Sequence, residues 1–219
     1  MLSRDSISQT GQLFNRILPK YSRIPLLFTV VLNFSVYWGA RAIAGGFTHH
    51  NIETALDDMI PVVYSTVVIY FGCYIFWIIG YLYNAAMDKR HCYRFLMADW
   101  LAKAVCFICY VVYPTTNTRP EIAGSDIWAQ LMRFLYSMDA ADNLFPSIHC
   151  LVSWLCYIGI RGNKKVPQWI RTTFCICAVA VFISTLTTKQ HVIYDVVAGV
   201  ILIEVTYLIS RLLLTKLSK

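Results

Sequence analysis

Two histidines and an aspartate stand out in this 219-residue chain because their neighbours suit chemistry at phosphorus. His149 follows Pro146-Ser147, and a proline suits the first position of a helix, whose next backbone N–H groups are unpaired and form an anion site. Ser147 adds a hydroxyl there, and His149 falls within the same first turn. His191 and Asp195 are four positions apart, so on a helix they share one face. A carboxylate so placed holds one imidazole nitrogen and leaves the other free to attack. Arg119 and Lys189 are cations suited to neutralising the oxygens of a transferring phosphoryl group. The same histidines and aspartate could instead bind a metal, but the neighbouring arginine and lysine repel a cation. No metal and no cofactor is expected.

The elements that must position these residues are membrane helices. Hydrophobic residues make up 58% of the chain and charged residues 14%, with a mean hydropathy of +0.55. A soluble domain carries about 25% charged residues. The pattern predicts six spans, near Ile24–Ala44, Pro61–Asn84, Phe95–Tyr113, Phe145–Ile160, Thr172–Leu186 and Val192–Leu208. The expected fold is therefore all-α, a six-helix transmembrane bundle with short interfacial helices. Residues 24–210 form one catalytic domain, 1–23 a cytoplasmic or interfacial segment and 211–219 a cytoplasmic tail. Leu2, Ile7, Leu13, Phe14, Ile17 and Leu18 supply the apolar side of an interfacial helix, and the mixed charge of residues 1–23 does not read as a cleaved signal peptide.

The net charge of +7 does not point to nucleic acid, because no basic run is interleaved with aromatics. It is a topology signal instead. Fourteen lysines and arginines fall in the N-terminal segment, the second-to-third and fourth-to-fifth connections and the C-terminal tail. The alternate connections hold four: Arg41, Arg119, Arg133 and Lys189. This bias predicts that both termini are cytoplasmic and that the connections bearing the site face outward together, on the extracytoplasmic or lumenal side.

Three blocks now carry a resemblance. The chain is similar to the type 2 phosphatidic acid phosphatase superfamily of lipid phosphatases, phosphotransferases and soluble haloperoxidases, recognised by Lys-x6-Arg-Pro, Pro-Ser-Gly-His and Ser-Arg-x5-His-x3-Asp. Arg119-Pro120 resembles the end of the first block and Pro146-Ser147-Ile148-His149 the second. Ser184-Thr185-x5-His191-x3-Asp195 resembles the third. The resemblance implies that His191 is the nucleophile forming a phosphohistidine, oriented by Asp195, and that His149 protonates the leaving alcohol. It further implies phosphate binding by Arg119 and Ser147, without metal.

Two of the family's cations are replaced, by Val112 and Thr185, and Lys189 is expected to supply part of the missing charge. Phe-Pro-Ser-x-His with Lys-Gln-His also resembles the branch related to inositol-phosphorylceramide and sphingomyelin synthases, which move a phospho-headgroup between lipids. The expected substrate is a lipid phosphomonoester or diphosphate drawn from the membrane, with lipid phosphotransfer as the alternative and a non-catalytic membrane protein or transporter as a third reading.

Outside the site, Asp99 and Lys103 in the third span and Glu204 in the sixth lie at similar depth, and a structural ion-pair cluster is the favoured reading. Ser125–Met138 reads as an amphipathic helix capped by Ser125 or Asp126, serving as an interface anchor or a lid. His49 and His50 read as solvated loop residues. The eight cysteines, Cys106 and Cys109 included, read as small packing residues.

Overall fold

The computed structural model of the chain describes residues 12–216. Helix α1 (Lys20–Ala44) leads to a short strand β1 (His50–Asn51), a single turn α2 (Ala55–Asp58) and a 3-10 turn (Tyr64–Thr66) that opens α3 (Val67–Met87). Then come α4 (Lys89–Val112), β2 (Thr115–Thr116), α5 (Ile127–Met138), α6 (Ile148–Arg161), α7 (Gln168–Thr187) and α8 (Ile193–Lys216). The two strands pair in parallel, His50 opposite Thr115, and clip two connections together at one end of the bundle. The fold is all-α apart from this clip.

Local chemistry sets the boundaries. Between α3 and α4 only Asp88 is non-helical, and its carboxylate accepts from the His91 N–H at 2.8 Å, capping the new helix. Asp126 caps α5 in the same way, accepting from the Trp128 and Ala129 N–H groups. That helix buries Ala129, Met132 and Leu135 against Val67 and Tyr70 of α3, while Ile127 and Trp128 stay exposed. The amphipathic helix is therefore present, but it turns a slightly different face inward than the apolar periodicity indicates.

Five helices among the described residues are long and apolar enough to cross a membrane: α1, the Tyr64–Met87 unit, α4, α7 and α8. Large apolar residues on their outer faces, such as Ile24, Ile75 and Ile201, are exposed, as lipid-facing positions must be. Helix α6 has only 14 residues. It runs through the middle, packed on α3, α4, α7 and α8, and most of its side chains are buried. The expected sixth element is thus a short enclosed helix. The last helix continues to Lys216, so residues 211–216 of the expected tail are helical. Residues 12–17 are helical with Leu13, Phe14 and Ile17 exposed, while Leu2 and Ile7 of the expected interfacial helix lie outside the described residues.

The intramembrane charges form two pairs instead of one cluster. Lys103 Nζ donates to Asp99 Oδ2 at 2.9 Å, both residues almost wholly buried. Glu204 faces α6, where it accepts from Arg161 at 2.7 and 3.0 Å and from Trp154 Nε1 at 2.9 Å. Depth along the helix matched Glu204 to Lys103, but the direction in which each side chain leaves its helix separates them. His50 is exposed and stacks on the Tyr113 ring, and all eight cysteines are free thiols.

Candidate active site

The starts of α6 and α8 are held against each other by the backbone. Ser147 N–H donates to the Asp195 carbonyl at 3.1 Å. Gly199, one turn further along α8, lets the chains approach this closely, since a Cβ there would lie 2.6 Å from the Ser147 carbonyl oxygen. Tyr110 of α4 donates to the Pro146 carbonyl at 2.7 Å and fixes the entry from the other side. Ordinary close packing thus sets the relative position of the two histidines.

Helix α8 begins at Ile193, so His191 precedes it and does not share a helical face with Asp195. Asp195 instead reaches back from the first turn. Its Oδ2 accepts from the Val192 N–H at 3.0 Å and faces His191 Nδ1 at 3.2 Å. With Nδ1 holding the proton toward the carboxylate, His191 Nε2 keeps a lone pair, and it lies 3.4 Å from His149 Nδ1. The result is a linear Asp195–His191–His149 chain. His149 Nε2 and Asp195 Oδ1 are buried without a hydrogen-bond partner. Rings from α3 enclose His149, with Tyr70 at 4.6 Å and Trp77 at 5.4 Å between centroids.

Both histidines line a cavity of about 570 Å³ between α1, α3, α5 and the start of α6. Its walls are aromatic, including Phe34, Trp38, Phe71, Tyr74 and Phe134, several of them exposed toward the bundle surface. Its polar groups include Arg119, Gln190, Asp139, Asp142, Asn33, Asn143 and the histidines. Among the described residues lining it, Arg119 is the one arginine or lysine. The guanidinium bonds the Asp139 and Ala140 carbonyls, donates to Gln190 Oε1 at 2.8 Å and stacks over Tyr136. Burial draws its pKa below the ordinary guanidinium value, against the opposing pull of Asp139.

Asp139 is a half-buried anion that motif reasoning did not find. Tyr70 donates to Oδ2 at 2.6 Å and Tyr37 to Oδ1 at 2.8 Å. Burial opposes its ionisation, but His149, the two phenols and Arg119 outweigh that and hold its pKa below the ordinary carboxylate value. A depressed carboxylate stabilises the fold above its unfolded pKa and loses that contribution as pH falls through the folded value. An Asp139→Asn variant should therefore show a flatter acid limb in a stability-versus-pH titration than the wild type. No local signal marks this site, since Tyr37 is 102 positions from Asp139; only the Asp139-Ala-Ala-Asp142 run after an amphipathic helix hints at it.

The other expected phosphate ligands are placed differently. Pro146 is not the first helical residue: α6 begins at Ile148, with Ser147 as its N-cap. The Ser147 hydroxyl accepts from the Cys150 N–H at 3.3 Å, and Ser147 is fully buried and absent from the cavity wall. Lys189 adopts a positive φ of 53°, which turns its side chain away, and its Nζ donates to the Asp57 carbonyl at 2.7 Å. It does not line the cavity. Thr185 is buried with its hydroxyl on the Phe182 carbonyl, and Val112 is exposed on the bundle surface. Replacing Lys189 by alanine is accordingly expected to lower thermal stability by about 1–2 kcal/mol through the lost charged hydrogen bond, with turnover per folded molecule largely retained. Parallel melting and activity assays in one detergent check this.

Among the described residues, no group of three or more His, Cys, Asp or Glu is arranged to hold a metal ion. No curated protein and no solved structure matches the chain. The family model described as the PAP2 superfamily matches residues 40–209, a stretch holding α3 to α7, most of α8 and every candidate residue above. Enzymes of that superfamily are generally phosphatases and phosphotransferases, and the match together with five long apolar helices is consistent with a multi-pass integral membrane protein. By this match over most of its length, the chain belongs to the PAP2 superfamily, the type 2 phosphatidic acid phosphatases and their relatives.

Proposed function

We propose that this protein is a membrane-embedded enzyme that removes a phosphoryl group from a lipid phosphate through a phosphohistidine on His191. The observation that carries this is the Asp195–His191–His149 chain at the wall of the cavity. His191 Nε2 attacks phosphorus, and the bond from phosphorus to the leaving oxygen breaks. His149 delivers its proton to that oxygen, then takes a proton from the incoming hydroxyl, whose oxygen displaces His191. Asp195 keeps the Nδ1 proton in place and balances the imidazolium character that develops. Arg119, already in the cavity, is the group best placed to meet a phosphate oxygen. The residues that act lie within one domain, 24–210, with α6 as a sixth membrane element, both termini cytoplasmic and the site on the opposite face. The cation bias and the gathering of the α1–α3, α4–α6 and α7–α8 connections at one end support that orientation.

One observation favours transfer over hydrolysis. The cavity sets Asp139 and Asp142 against a single arginine, and Arg41 pairs with Asp142 from α1 at 3.1 Å. That balance suits the single charge of a phosphodiester better than the double charge of a phosphomonoester. In this second reading a phospho-headgroup passes from one lipid to the hydroxyl of another.

A single assay separates the readings. Purified protein in lipid nanodiscs receives a phospholipid labelled in its phosphate, with or without a long-chain alcohol or ceramide acceptor. Free phosphate indicates hydrolysis, and label in the acceptor without free phosphate indicates transfer. Label trapped on the protein should be lost in acid and kept in base, the behaviour of a phosphoramidate. Failure to label His191 under any donor overturns the proposal. The reaction is expected to persist in EDTA.

A further inference from the structure

A second cleft opens at the other end of α6, twelve residues or about 18 Å along the helix from His149. It has a volume of about 210 Å³ and lies between the end of α6 and the start of α7. Tyr157 and Arg161 come from α6; Gln168, Arg171, Thr172, Cys175 and Ile176 come from α7.

Three features point to what fits there. First, the α7 residues recur at helical spacing and change character along the helix. The first turn offers Gln168, the second Arg171 and Thr172, and the third Cys175 and Ile176, the last 63% exposed. One face thus runs from polar to apolar over three turns, as a lipid does from headgroup to acyl chain. Second, the donors are partly free. Arg161 is committed to Glu204 through both terminal nitrogens, but Arg171 makes one long bond, to the Arg161 carbonyl at 3.3 Å, and its Nε is buried with no partner. Third, α7 starts on Pro167 with no side-chain cap, so its first N–H groups point out beside this arginine. Lys164 and Lys165 in the α6–α7 loop add positive charge, and Trp169 in the first turn of α7 is 70% exposed, a residue type enriched at membrane interfaces.

We propose that this cleft binds the phosphate of an anionic membrane phospholipid, held by Arg171 and the α7 N-terminus with an acyl chain along Cys175 and Ile176. It is separate from the reaction cavity and does not depend on the catalytic reading. Held by α7 in a cleft whose other wall is Tyr157 and Arg161 of α6, the lipid fills the seam between the helices that lead to His149 and His191.

The test is ligand-dependent thermal stability of delipidated full-length protein in a neutral detergent. Phosphatidylglycerol should raise the melting temperature saturably, whereas phosphatidylcholine and inorganic phosphate should not. Arg171→Gln should weaken the phosphatidylglycerol response about fivefold, the worth of one basic residue at an anionic membrane surface. Gln168→Glu, which places a negative charge beside the headgroup and gives up only the exposed 3.3 Å bond from Gln168 Nε2 to Thr172 Oγ1, should weaken it as well. Reading both variants against wild type removes any contribution of lipid in the reaction cavity. Equal response to the two lipids, or wild-type response from both variants, overturns the proposal. A full response to inorganic phosphate alone assigns the cleft to free phosphate and overturns the lipid.

Discussion

Turnover by a His191→Ala variant is expected to fall on the order of ten-thousandfold or more, with no labelled protein trapped at any donor concentration. The loss is that large because in the proposed mechanism the histidine is the covalent acceptor and the alternative, direct attack by water or alcohol, lacks its entropy advantage. His149→Ala should lose less, about a hundred- to ten-thousandfold, since it removes proton transfer but leaves the nucleophile. The double variant should be hardly worse than His191→Ala alone, because residues acting in one sequence of steps are not additive. Leaving-group chemistry then divides their roles. A donor whose leaving group is a good one, such as a nitrophenol, needs little protonation and should largely rescue His149→Ala while leaving His191→Ala inactive. Rescue of both, or of neither, would assign the roles wrongly. The fold should tolerate these changes, since Asp195 Oδ2 keeps its bond to the Val192 N–H after His191 is removed.

The largest expected effect on stability comes from the Asp99–Lys103 pair. Both side chains are buried, Asp99 completely and Lys103 to within 2%, and each is the other's counter-charge at 2.9 Å. Lys103→Met should cost about 3–5 kcal/mol, because it strands a carboxylate inside the bundle. Asp99→Asn should cost a similar amount by stranding the ammonium. Combining Asp99→Leu with Lys103→Met removes both charges and should recover most of the loss, as apolar replacement of a buried pair commonly does. Unfolding of the wild type and the three variants in one detergent compares them. Full stability in Lys103→Met would show that the pair has no structural role.

The sequence made the site's centre legible and its surroundings much less so. His149, His191 and Asp195 lie next to helix starts, and helix starts are readable from proline, capping residues and apolar onset. Lys189 illustrates that proximity in sequence says nothing of direction: a left-handed backbone at that residue sends the side chain to the Asp57 carbonyl instead of the cavity. The Ser147 hydroxyl, which the motif places beside a phosphate, is used by the helix it caps. Asp139 was missed because its meaning depends on phenols from α1 and α3, brought to it only by tertiary packing. The spans were predictable from hydropathy, except that α6 is enclosed by protein and needs neither the length nor the outer apolar face of a lipid-facing helix.

That shortness has a consequence for where the reaction occurs. Fourteen residues rise about 21 Å, some 9 Å less than the hydrocarbon thickness of a typical bilayer. A lipid-facing helix would meet such hydrophobic mismatch by thinning the membrane around it. Helix α6 is shielded by its neighbours, so the deficit becomes an indentation in the protein: the missing turns above His149 are replaced by the aromatic cavity. In the proposed orientation the two histidines sit below the headgroup plane of the outer leaflet. A donor must sink its phosphate to reach them, whereas an acceptor dissolved in the same leaflet arrives from the side at the right depth. Bulk water must descend past aromatic rings to compete. In the proposed reaction, membrane immersion of the two histidines thus acts as a filter on the second substrate.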